Sequence, residues 1–290
     1  LDKHDLVDHV IFSPRVNVRF NPSEAVNLRV SYAGGYRAPQ AFDEDMHIAI
    51  VGGKRVRIRL ADDLREERSH SVSLSADLYH TFGKVQTNLL VEGFYTILDD
   101  VFALRDMDDA ADGGKVKERY NGSGATVRGF NVEGRAAFTR WFELQAGVTL
   151  QQSRYKEPEF WSEDAEVPPV RRMFRTPDAY GYFTASFKPV RNFTADLSGT
   201  CTGSMLVQHM AGSGVAQDVA VSTPSFFDMN IRLSYDVRIY KEITMQLYGG
   251  VQNLFNAYQK DFDKGVDRDS GYIYGPSLPR SWFVGAKFSF

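Results

Sequence analysis

One cysteine in 290 residues, Cys201, excludes an intrachain disulfide framework and any metal cluster built on several thiolates. No apolar run approaches the roughly 18 residues that a membrane-spanning helix requires, and mean hydropathy is −0.33. That test leaves strand-crossing barrels untouched, because they alternate apolar-out and polar-in and average out as soluble. Neither sign of charge dominates: 34 basic against 37 acidic residues leave a net charge of −3, which offers nucleic acid no electrostatic footprint. The opening LDKHDLVDHV has neither the basic segment nor the apolar core of a secretory signal. It predicts a chain that either stays in the cytoplasm or begins inside something longer.

Catalytic patterns are missing as well. The six histidines (His4, His9, His47, His70, His80, His209) form no HExxH and no i, i+4 pair, and no serine sits in G-x-S-x-G. His70 and Ser71 are adjacent and therefore point to opposite faces of a strand. The expectation is a protein that is not an enzyme and carries no cofactor.

What is present is alternation with period two. In SFFDMNIRLSYDVRIY, residues Phe227, Met229, Ile231, Leu233, Tyr235, Val237 and Ile239 make one face, while Asp228, Asn230, Arg232, Ser234, Asp236 and Arg238 make the other. A water-filled or polar-packed interior tolerates that second face; a dry core does not. The pattern recurs from Val26, from Val72, from Phe142, from Phe193 and from Ile243. Eleven strands follow, at roughly 13–22, 25–37, 67–82, 85–97, 116–138, 142–155, 177–189, 192–207, 225–240, 242–256 and 280–290. Their connections alternate between short (NPSEA, FGK, TRW, PVRN, YKE) and long (38–66, 98–115, 156–176, 208–224, 257–279). A sandwich has no reason to place every tight turn at one end, whereas an outer-membrane barrel does. Aromatics near the turns (Phe82, Trp141, Phe142, Phe187, Tyr240, Phe290) and near the loops (Tyr36, Tyr95, Tyr155, Tyr180, Phe227, Tyr258) would form two interfacial girdles. The fold class expected is all-β, an antiparallel up-and-down transmembrane barrel; a soluble all-β protein with scattered aromatics is the alternative. Eleven strands are an odd number where single-chain bacterial barrels use even ones, so the chain reads as the C-terminal part of a larger barrel, residues 1–290 forming one domain.

Several stretches, in order, resemble TonB-dependent outer-membrane receptors. They are NLRVSYAGGYRAPQAFDE (27–44), LVEGFYTILDDVFAL (90–104), YNGSGATVRGFNVEGRAAF (120–138), GGVQNLFNAYQ (249–259) and YGPSLPRSWFVGAKFSF (274–290). The last two loops resemble receptors of the Bacteroidetes. The resemblance implies the C-terminal half of a 22-stranded barrel around a plug, with plug, TonB-binding segment and first strands outside this chain. It implies uptake of a scarce large ligand of the iron-siderophore, haem or cobalamin class. The implied partners are the TonB–ExbB–ExbD complex acting through the missing part, outer-membrane lipid and lipopolysaccharide, the barrel assembly machinery and a small-molecule ligand. Gly285, Phe288 and Phe290 resemble the family's insertion signal. A passive pore or adhesin barrel, or a soluble β-sandwich with binding loops, are the competing functions.

The loops hold the candidate site residues. Arg55, Arg57 and Arg59 share a face if extended and suit an anionic siderophore or lipopolysaccharide phosphate; a solvated hairpin is the plainer alternative. Asp261, Asp263, Asp267 and Asp269 alternate beside Gly265 and Gly271, an oxygen-rich pattern for Ca²⁺ without EF-hand spacing, against which stands a solvated loop. Met205, His209 and Met210 offer soft donors to copper or haem, although methionine is also a routine gap-filler. The loop aromatics Trp161, Phe174 and Tyr272 are compatible with many ligands. Lumen-facing Arg29, Glu92, Glu133, Arg232 and Asp236 are expected to pair with one another or with the plug.

Overall fold

Alternating apolar and polar residues separate onto two faces only when the backbone is extended, and the alternating segments among the described residues adopt that solution. The computed structural model describes residues 9–40, 56–108, 115–162, 164–240 and 242–290, and no helix occurs among them. In chain order the strands are β1 (Arg15–Ser23), β2 (Val26–Arg37), β3 (Val56–Leu60), β4 (Glu67–Phe82), β5 (Val85–Asp99) and β6 (Phe102–Met107). Next come β7 (Lys115–Asn121), β8 (Ala125–Phe138), β9 (Phe142–Glu159), β10 (Val170–Arg172), β11 (Ala179–Val190) and β12 (Phe193–Thr202). The last are β13 (Leu206–His209), β14 (Val219–Ser222), β15 (Phe226–Tyr240), β16 (Ile243–Gln252) and β17 (Ser281–Ser289).

Eleven strands form one antiparallel ladder in the order β1-β2-β4-β5-β8-β9-β11-β12-β15-β16-β17, with β10 attached to β9. The eleven strands read from the sequence are these. Two or three residues separate β1 from β2, β4 from β5, β8 from β9, β11 from β12 and β15 from β16, while the intervening connections are long and carry the six remaining strands. Two of the spans read from the sequence run longer than the ladder strands they contain. The span 116–138 is two strands, because Gly122–Ser123–Gly124 interrupts it: Gly124 holds φ +86°, and a Cβ there would stand 2.3 Å from the Leu98 carbonyl oxygen. The span 192–207 likewise ends its ladder pairing at Thr202, and Leu206 onward joins a separate hairpin with β14.

Register decides which side chains share a wall. Val18, Val30, Leu74, Gly93, Phe130 and Leu150 lie side by side across six strands. One residue further along, the row reads Arg19, Arg29, Ser75, Glu92, Asn131 and Thr149. The five large side chains of the first row are exposed. Leaving a Val, Leu or Phe in water costs about 1.5–3 kcal/mol each, so a continuous wall of them requires an apolar solvent, which is lipid. The polar wall is knitted by its own hydrogen bonds. Thr149 Oγ1 donates to Asn131 Oδ1 (2.8 Å), Tyr182 Oη to Glu133 Oε2 (2.6 Å), Gln145 Nε2 to Glu133 Oε1 (2.8 Å) and Gln246 Nε2 to Asp236 Oδ1 (2.9 Å). Glu133, Asp236 and Arg232 are thus satisfied through Gln and Tyr; Arg232 donates to Gln246 Oε1 at 3.2 Å.

Phe82, Val85, Phe138, Phe142 and Phe187 form one row at the tight-turn end, and Trp141 packs edge-on against Phe187 at 5.6 Å. The girdle expected there is present. At the loop end Tyr36, Tyr95 and Phe227 share parity with the apolar wall, but Tyr155 and Tyr180 do not: Tyr180 pairs with Thr149, and Tyr155 lies on that same polar side of β9. Those two tyrosines face the lumen, a correction that follows from counting residues back along each strand.

On β17, Trp282, Val284 and Phe288 continue the outer wall, and Val284 is 90% exposed. Gly285 pairs with Tyr248, and a Cβ there would meet the Tyr248 ring at 2.5 Å. The glycine of the closing motif therefore has a local packing reason. A test of the two walls is a pair of arginine substitutions. Val132→Arg, on the lipid side in the row Val91–Val132–Val148, is expected to cost about 2–4 kcal/mol in vesicles. Ser73→Arg, on the lumen side, is expected to cost under about 1 kcal/mol. Urea unfolding in lipid vesicles measures both.

Candidate functional site

The long connections lock onto one another beyond the loop end of the ladder. Strand β3 runs parallel to β7, which pairs antiparallel with β6, so two connections share one small sheet. Asn121 clamps it: its Oδ1 accepts from Arg65 N (2.8 Å), and its Nδ2 donates to Arg65 O (3.0 Å) and Asp100 O (2.7 Å). The β9–β11 connection reaches the β13–β14 hairpin through Ser162 Oγ, which donates to Asp218 Oδ2 at 2.6 Å, and through a Phe174–Leu206 bridge.

Between these units lies a cavity of about 630 Å³, within the usual range for small-molecule sites. Phe102 and Tyr120 line it from the small sheet, Tyr155 and Glu159 from the top of β9, and Trp161 and Phe174 from the next connection. Trp161 and Phe174 stack edge-to-face at 5.4 Å. Three cations border the same space: Arg105, Lys117 and Arg119. Arg105 sits 5.0 Å over the Tyr120 ring and donates through Nε to Glu118 Oε2 at 2.8 Å; buried Arg119 lies 5.8 Å from the Phe102 ring. Glu159 has no ion-pair or hydrogen-bond partner among the described residues, and burial pushes its carboxyl above the usual carboxylate range. It closes β9, beyond the length of strand that hydrocarbon covers. Aromatic faces with cations at the rim suit a flat, anionic ligand.

The final connection is held by a separate lock. The His209 ring, nearly buried on β13, contacts Asp263 Oδ1 at 3.0 Å and stacks on Tyr272 at 3.7 Å between centroids. Asp269 accepts from the backbone amides of Met210 (2.8 Å) and Gly271 (2.8 Å), and Asp263 Oδ2 accepts from Asp269 N at 3.1 Å. Tyr274 Oη donates to Asp261 at 2.7 Å, Tyr272 Oη at 3.1 Å. Burial alone would raise the Asp261 carboxyl, but the hydrogen bonds from Tyr274 and Tyr272 outweigh it and hold it below its ordinary range. Burial and the adjacent Asp261 push the Tyr274 hydroxyl far above the usual phenol.

Trp161 and Phe174 meet in the cavity, which Met210 also lines; the other candidates do not join them. Arg55 lies outside the described residues. Arg59 is matched inside the loop sheet, 3.6 Å from Asp62 and 4.0 Å from Glu118, and Arg57 sits beside it on β3. Tyr272 and His209 belong to the lock, and Met205 pairs by its backbone with Thr223. The calcium reading of Asp261, Asp263, Asp267 and Asp269 is corrected: no three His, Cys, Asp or Glu side chains among the described residues gather as a metal site. Their carboxylates accept from tyrosines, a histidine and amides, while Asp267 holds Ser213 N by its carbonyl. His209 is turned from a metal role by the same contacts. Phe102, Tyr120, Tyr155 and Glu159 were missed, because their convergence depends on which connections cross.

The Asn-Leu-Phe-Asn stretch is structural. Asn253 and Asn256, at φ +50° and +55°, end β16. Asn253 Nδ2 donates to Leu278 O (2.9 Å), and Asn256 Oδ1 accepts from Arg280 N (2.9 Å), pinning the start of β17.

A family model described as TonB dependent receptor-like, beta-barrel, matches residues 3–254. No curated protein matches the chain. Among solved structures, the ferric-catecholate import receptor Fiu of E. coli K12 is similar at 16% identity and a TM-score of 0.62, over 94% of this chain and 34% of its own. A mutant of the ferric enterobactin receptor PfeA of Pseudomonas aeruginosa is similar at 15% and 0.62, over 94% and 39%. The siderophore receptor PirA of Acinetobacter baumannii is similar at 16% and 0.61, over 96% and 41%. The chain thus spans between a third and about two fifths of the length of the structures it matches.

The lock has a defined pH signature. A carboxylate whose folded pKa lies below its unfolded value of about 3.9 stabilises the fold above that pH and loses the contribution as pH falls through the folded pKa. Protection of residues 253–280 against hydrogen exchange, taken relative to the intrinsic rate at each pH, is therefore expected to fall below about pH 4. In Tyr274→Phe the same segment should be less protected at neutral pH and lose less protection on acidification.

Proposed function

The chain belongs to the TonB-dependent receptor β-barrel family, and we propose that it supplies ligand-facing wall and loops to a receptor importing an iron-siderophore-class ligand. The family consists of outer-membrane receptors and transporters, not enzymes, so the lipid-facing wall and the lack of a catalytic set fit one account. The observation that carries the reading is the aromatic cavity bordered by Arg105, Lys117 and Arg119. A ferric catecholate complex presents flat aromatic rings and a net negative charge, and matches both features. Haem fits less well, since His209 is engaged by Asp263 and Tyr272. An uncharged cobalamin body brings no anionic group to Arg105, Lys117 and Arg119.

We place the chain as the C-terminal part of its barrel. Support comes from the ladder, whose outer edges on β1 and β17 pair with nothing among the described residues. Unpaired backbone groups in hydrocarbon cost several kcal/mol each, so further strands would have to join both edges. In this reading TonB–ExbB–ExbD acts on parts of the receptor outside this chain, and Gly285, Phe288 and Phe290 present the assembly signal.

The test is a titration of the full receptor with ferric tricatecholate, read by tryptophan fluorescence or calorimetry. Removing one buried aromatic anchor typically costs 2 kcal/mol or more. Trp161→Ala or Phe174→Ala is therefore expected to weaken binding by about tenfold to a hundredfold, with Trp141→Phe at the opposite end unchanged. Equal affinity of the wild type for the chelate and for an uncharged analogue would sink the reading.

A further inference from the structure

The outer wall changes character just below the loops. Leu74, Gly93, Phe130 and Leu150 form the last wholly apolar row, and Gly93 leaves a gap between its neighbours. That gap is the floor of an open groove of about 650 Å³, also lined by Val72, Tyr95, Arg128 and Gln152. Immediately above, Arg128 pairs across the ladder with Tyr95 and Gln152, and Arg154 stands two residues beyond Gln152 on the same face of β9. Both arginines are exposed. Arg128 Nη2 donates to Gln152 Oε1 at 2.8 Å, and neither guanidinium has an acidic partner among the described residues. Asp178 also borders the groove, but Arg172 neutralises it at 3.0 Å.

The height of these arginines is set by strand geometry. Arg128 to the Phe138 row is ten residues, about 33 Å of strand. At a barrel tilt of about 40° that is roughly 25 Å along the membrane normal, the height of an outer-membrane apolar band. Arg128 and Arg154 therefore stand where hydrocarbon gives way to headgroups.

We infer that this groove is a specific site for a phosphorylated lipid of the outer leaflet, with an acyl chain over Gly93 and a headgroup phosphate on Arg128 and Arg154. The inference rests on the membrane reading of the wall, not on the siderophore reading. Two guanidinium groups without carboxylate partners supply charge complementarity for a phosphate, and their fork geometry favours its oxygens. Gly93 supplies room that any larger side chain would fill: a Cβ there meets only the Phe130 ring, at 3.5 Å.

The experiment uses the full receptor in phosphatidylethanolamine vesicles containing a diphosphorylated disaccharide lipid or its dephosphorylated analogue. Retained lipid is read by native mass spectrometry after extraction. Wild type is expected to hold the phosphorylated lipid about tenfold more strongly than the analogue, a ratio equivalent to about 1.4 kcal/mol. Arg128→Gln with Arg154→Gln should abolish that preference, while Gly93→Leu should reduce retention of both lipids. Heat-modifiable mobility on gels establishes that each variant is folded, and the phosphorylated-against-dephosphorylated comparison in wild type stands even if a variant fails to fold. The inference is overturned if wild type shows no preference, if the double variant keeps it, or if inorganic phosphate displaces the lipid and so marks a free-phosphate site.

Discussion

The constraint on which everything else depends is that hydrocarbon accepts no unpaired backbone amide or carbonyl. A continuous antiparallel ladder satisfies those groups strand to strand, and it fixes the parity of every side chain on it. A slip of one residue in β8 would carry Phe130 into the lumen and Asn131 into lipid, and its neighbours in β5 and β9 would resist. The two walls are therefore one fact seen twice. The hydrogen bonds from Thr149 to Asn131 and from Tyr182 to Glu133 exist because the same register put Phe130 and Leu150 outside.

Beyond the membrane the constraint lapses, and the chain behaves differently. Water can satisfy a loop backbone, so no alternation is imposed there, and order comes from individual side chains that grip the main chain. Asn121 between Arg65 and Asp100, Asn253 against Leu278, and Asp269 under Met210 and Gly271 are all of this kind. Asn and Asp are suited to it, since their short polar side chains bond nearby backbone and tolerate left-handed conformations.

That division explains what was legible in the sequence. The barrel strands were, because period two persists over ten or more residues, as in Phe227 to Ile239. The parity of Tyr155 and Tyr180 is equally available in the sequence, but only by counting back along each strand to Phe142 and Phe187. The loop sheet was not legible. Strand β3 has five residues and meets β7 across a stretch of chain that carries no signal of the partnership. The acidic run 261–269 was misread for a related reason. Alternating carboxylates look the same whether cations or donors surround them, and here the donors come from His209, Met210, Tyr272 and Tyr274.

Trp161 and Phe174 were found because bulky aromatics in a loop are conspicuous. Phe102, Tyr120 and Glu159 were not, since each looks like an ordinary strand residue until three connections cross. The crossing also gives the cavity its stiffness. Its walls are held by the shared sheet, by Ser162 on Asp218 and by Phe174 on Leu206, and the His209 lock secures the hairpin from the other side. A site assembled from loops loses affinity when binding must first order them. Side chains fixed to backbone carbonyls and amides remove that loss in advance, so the connections of this chain act less as free loops than as a second, smaller framework standing on the first.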